Sequence, residues 1–313
     1  MVKKTETKPM NSKPLIIFPY LGYENNKKCE WYFWWTIDKC KEIDAKPIVV
    51  IPRDTVIRQH AASFLKDERC KTLEVLQTWS VDTCQTWLAG WGHVLDNYPQ
   101  VERIVQIPGD IDFVEEDTDF YENLSKFIEI ADADIAIGDF RTGDQYSAKS
   151  LVDTYGTYSL LANWFPEISK SIKSLPLNRP RSEFLNIKIS VLRDLLINNR
   201  NFAYEQTLNF LIKSWNYDEA KWRYRISTPL LGTLSDNKSF RNYRSCVDQI
   251  ERIERLVSLL WREIKQPKKL DNMSDKDFEK RYIVFSNEYD NLFTKSNGIM
   301  DTARTTLRAL LGV

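Results

Sequence analysis

Glu102-Arg-Ile-Val-Gln-Ile-Pro-Gly-Asp-Ile-Asp112 is a short apolar run that stops at two carboxylates separated by one residue. Arg103 to Ile107 carry the signature of a buried strand, and Pro108 and Gly109 form the turn that ends it. Such a strand delivers Asp110 and Asp112 to the crevice edge where open α/β sheets bind ligands. Side chains alternate along an extended segment, so the two aspartates point the same way and Ile111 the other. Paired oxygen donors of this kind suit a hard divalent cation, Mg²⁺ or Mn²⁺, which in turn holds a diphosphate. Taken alone, the stretch reads more readily as a polar turn closing a strand, so its weight as a site depends on its surroundings.

Upstream, Pro14-Leu-Ile-Ile-Phe-Pro-Tyr20 and Lys46-Pro-Ile-Val-Val-Ile-Pro52 are apolar runs bounded by prolines, and Thr72-Leu-Glu-Val-Leu-Gln77 is a third strand candidate. Trp31 to Ile43 and Thr55 to Leu65 show helical spacing between them, which makes parallel strands with right-handed crossovers. Ser80 to Asn97 reads as a helix whose buried stripe is Cys84, Trp87, Leu88, Trp91 and Leu95, loosened at Gly90 and Gly92. His93 on this helix reads as a packed or half-exposed histidine and not as a ligand. Downstream, Phe120 to Ala131 fits a helix and Ala133-Asp-Ile-Ala-Ile-Gly138 a further strand.

The second half changes character. Phe140 to Tyr155 is Gly/Asp/Ser/Thr-rich and reads as a mobile loop beside the site. Ser159 to Ser171 looks helical, Phe184 to Ile189 strand-like, and Val191 to Ile197 and Ala203 to Lys213 helical again. Trp222-Arg-Tyr-Arg-Ile-Ser227 alternates as a half-exposed strand does. Leu234 to Arg244 is a polar, basic loop and Cys246 to Ile264 a long amphipathic helix. Asp275 to Phe293 and Met300 to Leu311 read as two more helices, an appendage suited to homodimerisation.

The totals narrow the classes. Lys+Arg and Asp+Glu are both 44 in 313 residues, so there is no basic field to hold nucleic acid or an anionic membrane. Cys29, Cys40, Cys70, Cys84 and Cys246 are odd in number and lack a C-x-x-C pair, against a disulfide framework or structural zinc. With only His60 and His93, a metal site here is mostly oxygen-ligated. No apolar run reaches the length of a membrane span, and the expectation is a cytoplasmic protein. Aromatic residues are abundant, with 10 Trp, 14 Tyr and 15 Phe, and cluster in Trp31-Tyr-Phe-Trp-Trp35.

The order of these parts resembles the GT-A glycosyltransferases, and more loosely their family-two-like branch. The likeness is carried by Leu15 to Tyr20, by Val50-Ile-Pro-Arg-Asp54, by the helix Thr83 to Asn97, and by Pro108-Gly-Asp-Ile-Asp112. Ser182 to Ile189 looks like the family's acceptor-side segment, and Tyr204 to Lys213 like a helix that begins with a carboxylate. The resemblance implies an α/β fold with a GT-A-like (Rossmann-like) mixed, mostly parallel sheet flanked by helices and a C-terminal helical appendage. The residues themselves read 1–13 as a disordered tail and 266–313 as a helical extension, and the resemblance takes 14–265 as the nucleotide-sugar-binding and acceptor domain.

The activity implied is transfer of a sugar from a nucleotide-diphosphate sugar to a small-molecule or glycan hydroxyl acceptor, one bearing phosphate or carboxylate included. Asp110 and Asp112 would hold Mg²⁺ or Mn²⁺, while Tyr20, Gly22, Arg53 and Asp54 line the nucleotide subsite. Arg241 and Arg244, with Lys238, sit in a basic loop able to close over the diphosphate. Glu205, at a helix start, is the candidate base of an inverting reaction. Arg179 and Arg181 read either as surface residues or as partners of an anionic acceptor. The family often shows a paired E-D or D-D where this chain has Glu205 alone. Two other readings remain: a nucleotidyltransferase, against which the single glycine of the first loop counts, and a non-catalytic α/β interaction scaffold.

Overall fold

In a computed structural model of the chain, the described residues are 15–19, 27–52, 65–78, 83–109, 119–142, 152, 156–197, 205–234 and 243–265. Contacts divide the chain into two units, residues 1–141 with 181–235, and residues 142–180 with 236–313. The expected tail over 1–13, the helix over 55–65 and the extension over 266–313 lie outside the described residues, apart from Leu65.

The first unit is built on a seven-stranded sheet. Its strands are β1 (Leu15–Pro19), β2 (Lys46–Pro52), β3 (Glu74–Thr78), β4 (Arg103–Gln106), β5 (Ile135–Ile137), β7 (Leu185–Lys188) and β10 (Ile226–Ser227). Between β5 and β7 in sequence comes β6 (Asp139–Thr142). The spatial order is β10-β5-β7-β4-β1-β2-β3. Strands β3, β2, β1 and β4 run parallel, β7 runs antiparallel to both β4 and β5, and β10 is parallel to β5. The proline-bounded runs become strands because both faces of the sheet are covered: Ile48, Val49 and Val50 have no exposure.

One face packs on α1 (Lys27–Glu42) and α3 (Asp119–Ile128), with α2 (Thr83–Asn97) coming between them in sequence. Its core joins Val49, Ile51, Val105 and Ile107 to Tyr32, Phe33, Trp34 and Ile37 of α1 and to Phe120, Leu124 and Phe127 of α3. Helix α1 carries Glu30 in its first turn and Lys39 and Lys41 in its last, as the helix dipole favours. Beyond its end Asp44 adopts a left-handed φ of 57° and donates its N–H to the Lys41 carbonyl at 3.0 Å, ending the helix without a glycine. Helix α2 packs against β1 and β2. Its buried stripe is Thr86, Trp87, Gly90, Trp91 and Val94, whereas Leu88 and Leu95 are only half-buried. This corrects the expected stripe, since apolar spacing fixed the period of the helix but not which flank meets the sheet.

Other expectations are also redrawn. The strand expected over 222–227 is two short pieces: β9 (Lys221–Trp222) pairs with β8 (Trp215–Asn216), and β10 joins the main sheet. The loop expected from Phe140 begins as β6, which pairs with β11 (Leu230–Leu234). Helix α6 (Ile189–Leu196) follows β7 directly, and α7 (Gln206–Lys213) follows Glu205.

In the second unit, the helix expected over 159–171 is two, α4 (Thr157–Trp164) and α5 (Pro166–Lys173). Pro166 supplies no N–H and pushes Phe165 out of the helical region, to φ −137° and ψ 67°. Helix α8 (Tyr243–Lys265) packs on α4, burying Ile250, Ile253, Leu256, Val257 and Leu260, with Trp164 edge-on to Trp261 at 5.8 Å. Among the described residues no helix is long and apolar enough to cross a membrane.

Candidate active site

The parallel strands β1, β2 and β4 end within a few residues of one another on one edge of the sheet, which is where open α/β sheets bind ligands. In sequence, Pro19 is followed by Tyr20 and Gly22, Pro52 by Arg53 and Asp54, and Gly109 by Asp110 and Asp112. Those expected site residues, with Lys238 and Arg241, lie outside the described residues. Gly109, the last described residue before the pair of aspartates, is buried, as are Ile107 and Pro108. Arg244 was expected in a loop and instead occupies the second position of α8.

The inversion of β7 organises what remains of the edge. Because β7 runs against β4 and β5, Leu185 lies opposite both Gln106 and Ile137. The segment Arg181-Ser182-Glu183-Phe184 that leads into β7 therefore arrives at the carboxyl ends of β4 and β5. It is tied there at several points. Gln106 donates its Nε2 to the Glu183 carbonyl at 2.9 Å, and Gly138 donates its N–H to the Phe184 carbonyl at 3.0 Å. Ser182 donates its hydroxyl to the Gly138 carbonyl at 2.5 Å, and its own carbonyl accepts from Thr207 Oγ1 in the first turn of α7. The last bond brings the start of α7, and with it Glu205, to the edge at which the Asp110 strand ends.

Glu205 is the residue before α7, with φ 53° and ψ 59°, a left-handed conformation unusual for a side chain larger than glycine or asparagine. Its carboxylate does not cap the helix. Instead it is gripped by Arg181, which donates Nε to Oε2 and Nη2 to Oε1, each at 2.7 Å. The two side chains are only 8% and 10% exposed, so this is a desolvated, forked ion pair. The sequence placed Glu205 at a helix start but gave no sign of its partner: Arg181 sits between Pro180 and Ser182, a context that reads as surface. The detectable signal was the downstream strand, since a buried β7 carries the segment four residues ahead of it toward the interior.

Polar groups under the edge are paired as burial requires. Arg103 donates Nε to Asn186 Oδ1 at 2.8 Å and Nη1 to the Ala133 carbonyl at 2.7 Å, while Asn186 Nδ2 donates to the Phe127 carbonyl at 2.8 Å. Burial pushes the Arg103 guanidinium below its usual range. Gln106 Oε1 is an exception, a buried acceptor that meets no hydrogen-bond donor among the described residues.

His93 is half-buried as expected, hydrogen-bonded to Glu74 at the far end of the strands. Among the described residues no group of His, Cys, Asp and Glu is arranged to hold a metal ion.

No protein-family model matches the chain, and no curated protein sequence matches it. Solved structures do. Glucosyl-3-phosphoglycerate synthase from Mycobacterium tuberculosis, in complex with Mn²⁺, UDP and phosphoglyceric acid, aligns over 80% of this chain and 79% of its own at 13% identity and a TM-score of 0.50. The same enzyme with Mg²⁺ and UDP aligns over the same shares at 12% identity and a TM-score of 0.50. A further mycobacterial protein covers 80% of this chain and 75% of its own at 13% identity and a TM-score of 0.51. The sheet with its single inverted strand is thus the GT-A fold of the synthase structures.

Proposed function

We propose that the chain is a glycosyltransferase that moves a sugar from a nucleotide-diphosphate sugar to the hydroxyl of an acceptor. The observation that carries the reading is the convergence at one sheet edge of the strand leading to Asp110 and the helix start bearing Glu205, brought together through Gln106, Glu183, Ser182 and Thr207. The fold neighbours crystallised with UDP and Mn²⁺ or Mg²⁺ support the donor class.

Asp110 and Asp112, separated by one residue after a buried strand end, offer the oxygen donors that Mg²⁺ or Mn²⁺ takes. Such an ion, when bound, offsets charge on the diphosphate leaving group. Tyr20, Gly22, Arg53 and Asp54 follow β1 and β2 and are the proposed nucleotide subsite, with Arg241 and Arg244 proposed to meet the diphosphate. Glu205 is the proposed base. It takes the acceptor hydroxyl proton, the acceptor oxygen attacks the anomeric carbon, and the bond to the diphosphate breaks with its electron pair leaving on the diphosphate. This route inverts the anomeric centre. Both oxygens of Glu205 are engaged by Arg181, so one must be released before the hydroxyl reaches it.

Calorimetry with UDP and GDP, with and without Mn²⁺, tests the reading. Metal-dependent binding that is lost in Asp112→Ala is expected, and no binding of either nucleotide sinks the proposal. Glu205→Gln is expected to retain donor binding and lose transfer by roughly a hundredfold or more; unchanged turnover removes Glu205 as the base.

A further inference from the structure

The Arg181–Glu205 pair has a shape that a substrate can imitate. A carboxylate presenting two oxygens to the guanidinium fork is what any carboxylate or phosphate group presents to it. We infer that Arg181 is the recognition group for an oxyanion carried by the acceptor, and that Glu205 occupies that position until the acceptor arrives. This deepens the transferase reading and rests on it for the word acceptor, though the anion site itself does not.

Burial, strain and anchoring each support the exchange. With the side chains 8% and 10% exposed, the guanidinium has little water to fall back on, so a neutral hydroxyl cannot take the carboxylate's place and an anion can. Glu205 reaches Arg181 from a left-handed backbone, φ 53° and ψ 59°, a region disfavoured for a residue with a Cβ. Letting go of Arg181 gives that strain an exit.

Which partner moves is decided by the anchoring. The residue after Arg181 is held through its hydroxyl to Gly138, through its carbonyl to Thr207, and by the Phe184 N–H at 3.3 Å. Arg181 therefore stays fixed ahead of β7, while the Glu205 side chain swings on a backbone whose carbonyl accepts from the Asn209 N–H at 3.0 Å. The swing makes acceptor recognition and base release a single event: the anion that docks on Arg181 frees the carboxylate that must deprotonate the neighbouring hydroxyl. In the absence of acceptor Glu205 stays occupied, which withholds it from water and protects the donor from hydrolysis.

The test is the sign of a mutational effect. Inorganic phosphate is titrated calorimetrically, in EDTA, into the full chain, with glycerol as the neutral control. Glu205→Gln removes the resident competitor and is expected to tighten phosphate binding roughly tenfold or more. Arg181→Lys is expected to weaken it about tenfold and to abolish the gain when combined with Glu205→Gln. If Glu205 only braces Arg181, Glu205→Gln weakens phosphate binding or leaves it unchanged, and either result overturns the inference. So does a gain that survives in the Arg181→Lys background, which assigns the phosphate to another site. Thermal denaturation checks each variant; should Glu205→Gln fail to fold, Glu205→Asp, which withdraws the carboxylate by one methylene, is expected to shift affinity in the same direction by less, and no shift overturns the inference equally. Nucleoside diphosphate binding with Mg²⁺ is measured on the same wild-type sample: its loss strikes the transferase reading, while the phosphate results strike only this one.

Discussion

The two ends of the sheet carry ionic clusters built on opposite terms. At the amino end Lys46 opens β2 and Glu74 opens β3, and Glu74 receives Lys46 at 2.6 Å together with the Tyr98 hydroxyl and His93. Every partner there is half-buried or exposed. At the carboxyl end the Arg181–Glu205 pair is desolvated, holds a residue in a left-handed conformation, and lies near a strand whose Gln106 keeps a buried acceptor without a donor among the described residues. The unpaired acceptor falls at the end where a GT-A fold holds its ligands, and the left-handed residue there is a member of the ion pair, whereas Asp44, left-handed just before β2 at the other end, serves to end α1. Backbone strain concentrates where surrounding structure must over-determine a geometry for use and not for stability.

The contrast is broken most directly at Arg181. Arg181→Met leaves the Glu205 carboxylate buried without its partner and is expected to cost about 3–5 kcal/mol in urea unfolding. Adding Glu205→Gln removes the stranded charge and recovers most of that loss. A single-variant cost below about 1 kcal/mol would mean that water reaches the pair and that the two ends of the sheet do not differ in kind.

Next in size is Gly138, whose carbonyl and N–H both serve the segment entering β7. A Cβ built there meets the Phe184 Cβ at 2.8 Å and a Leu231 methyl closer still. Gly138→Ala is expected to cost about 1–3 kcal/mol of stability. Because the displaced residue is Phe184, two positions from Ser182, it should also disturb Arg181, read as weakened phosphate binding in a variant that still folds. A neutral result would show that the Ser182 anchor tolerates slippage.

Much of this was open to reading in the sequence. The proline-bounded runs at Leu15, Lys46 and Arg103 announced buried strands because a sheet covered on both faces needs nothing but apolar residues, and parallel order followed from the helices between them. Direction was not announced for β7: Leu185 to Lys188 has the same pattern whichever way it runs. Its inversion is what brings Arg181 and Glu205, 24 residues apart, into one bond. A contact between a proline-flanked arginine that looks like surface and a distant helix start leaves no periodicity, and the left-handed turn at Glu205 carries no glycine to mark it. The break at Pro166 was legible in principle, but the apolar spacing on either side of it outweighed the missing N–H.

At the amino end the expected effect is smallest and its pH dependence is set by Glu74. Burial alone would raise this carboxyl, but hydrogen bonds from Lys46, Tyr98 and His93 outweigh it and bring it from an ordinary 4.5 down to about 2. A group whose folded value lies below its unfolded one binds protons more readily in the unfolded chain. Its contribution is therefore complete above about 4.5 and is lost as pH falls from there toward 2. Lys46 is 48% exposed, so solvent screening keeps the contribution small, under about 1 kcal/mol. Glu74→Gln should lower the unfolding midpoint slightly at neutral pH, converge with the wild type near pH 2, and leave phosphate and nucleotide binding untouched at every pH between. A change in either binding constant would couple the two ends of the sheet and undo the division of labour between them.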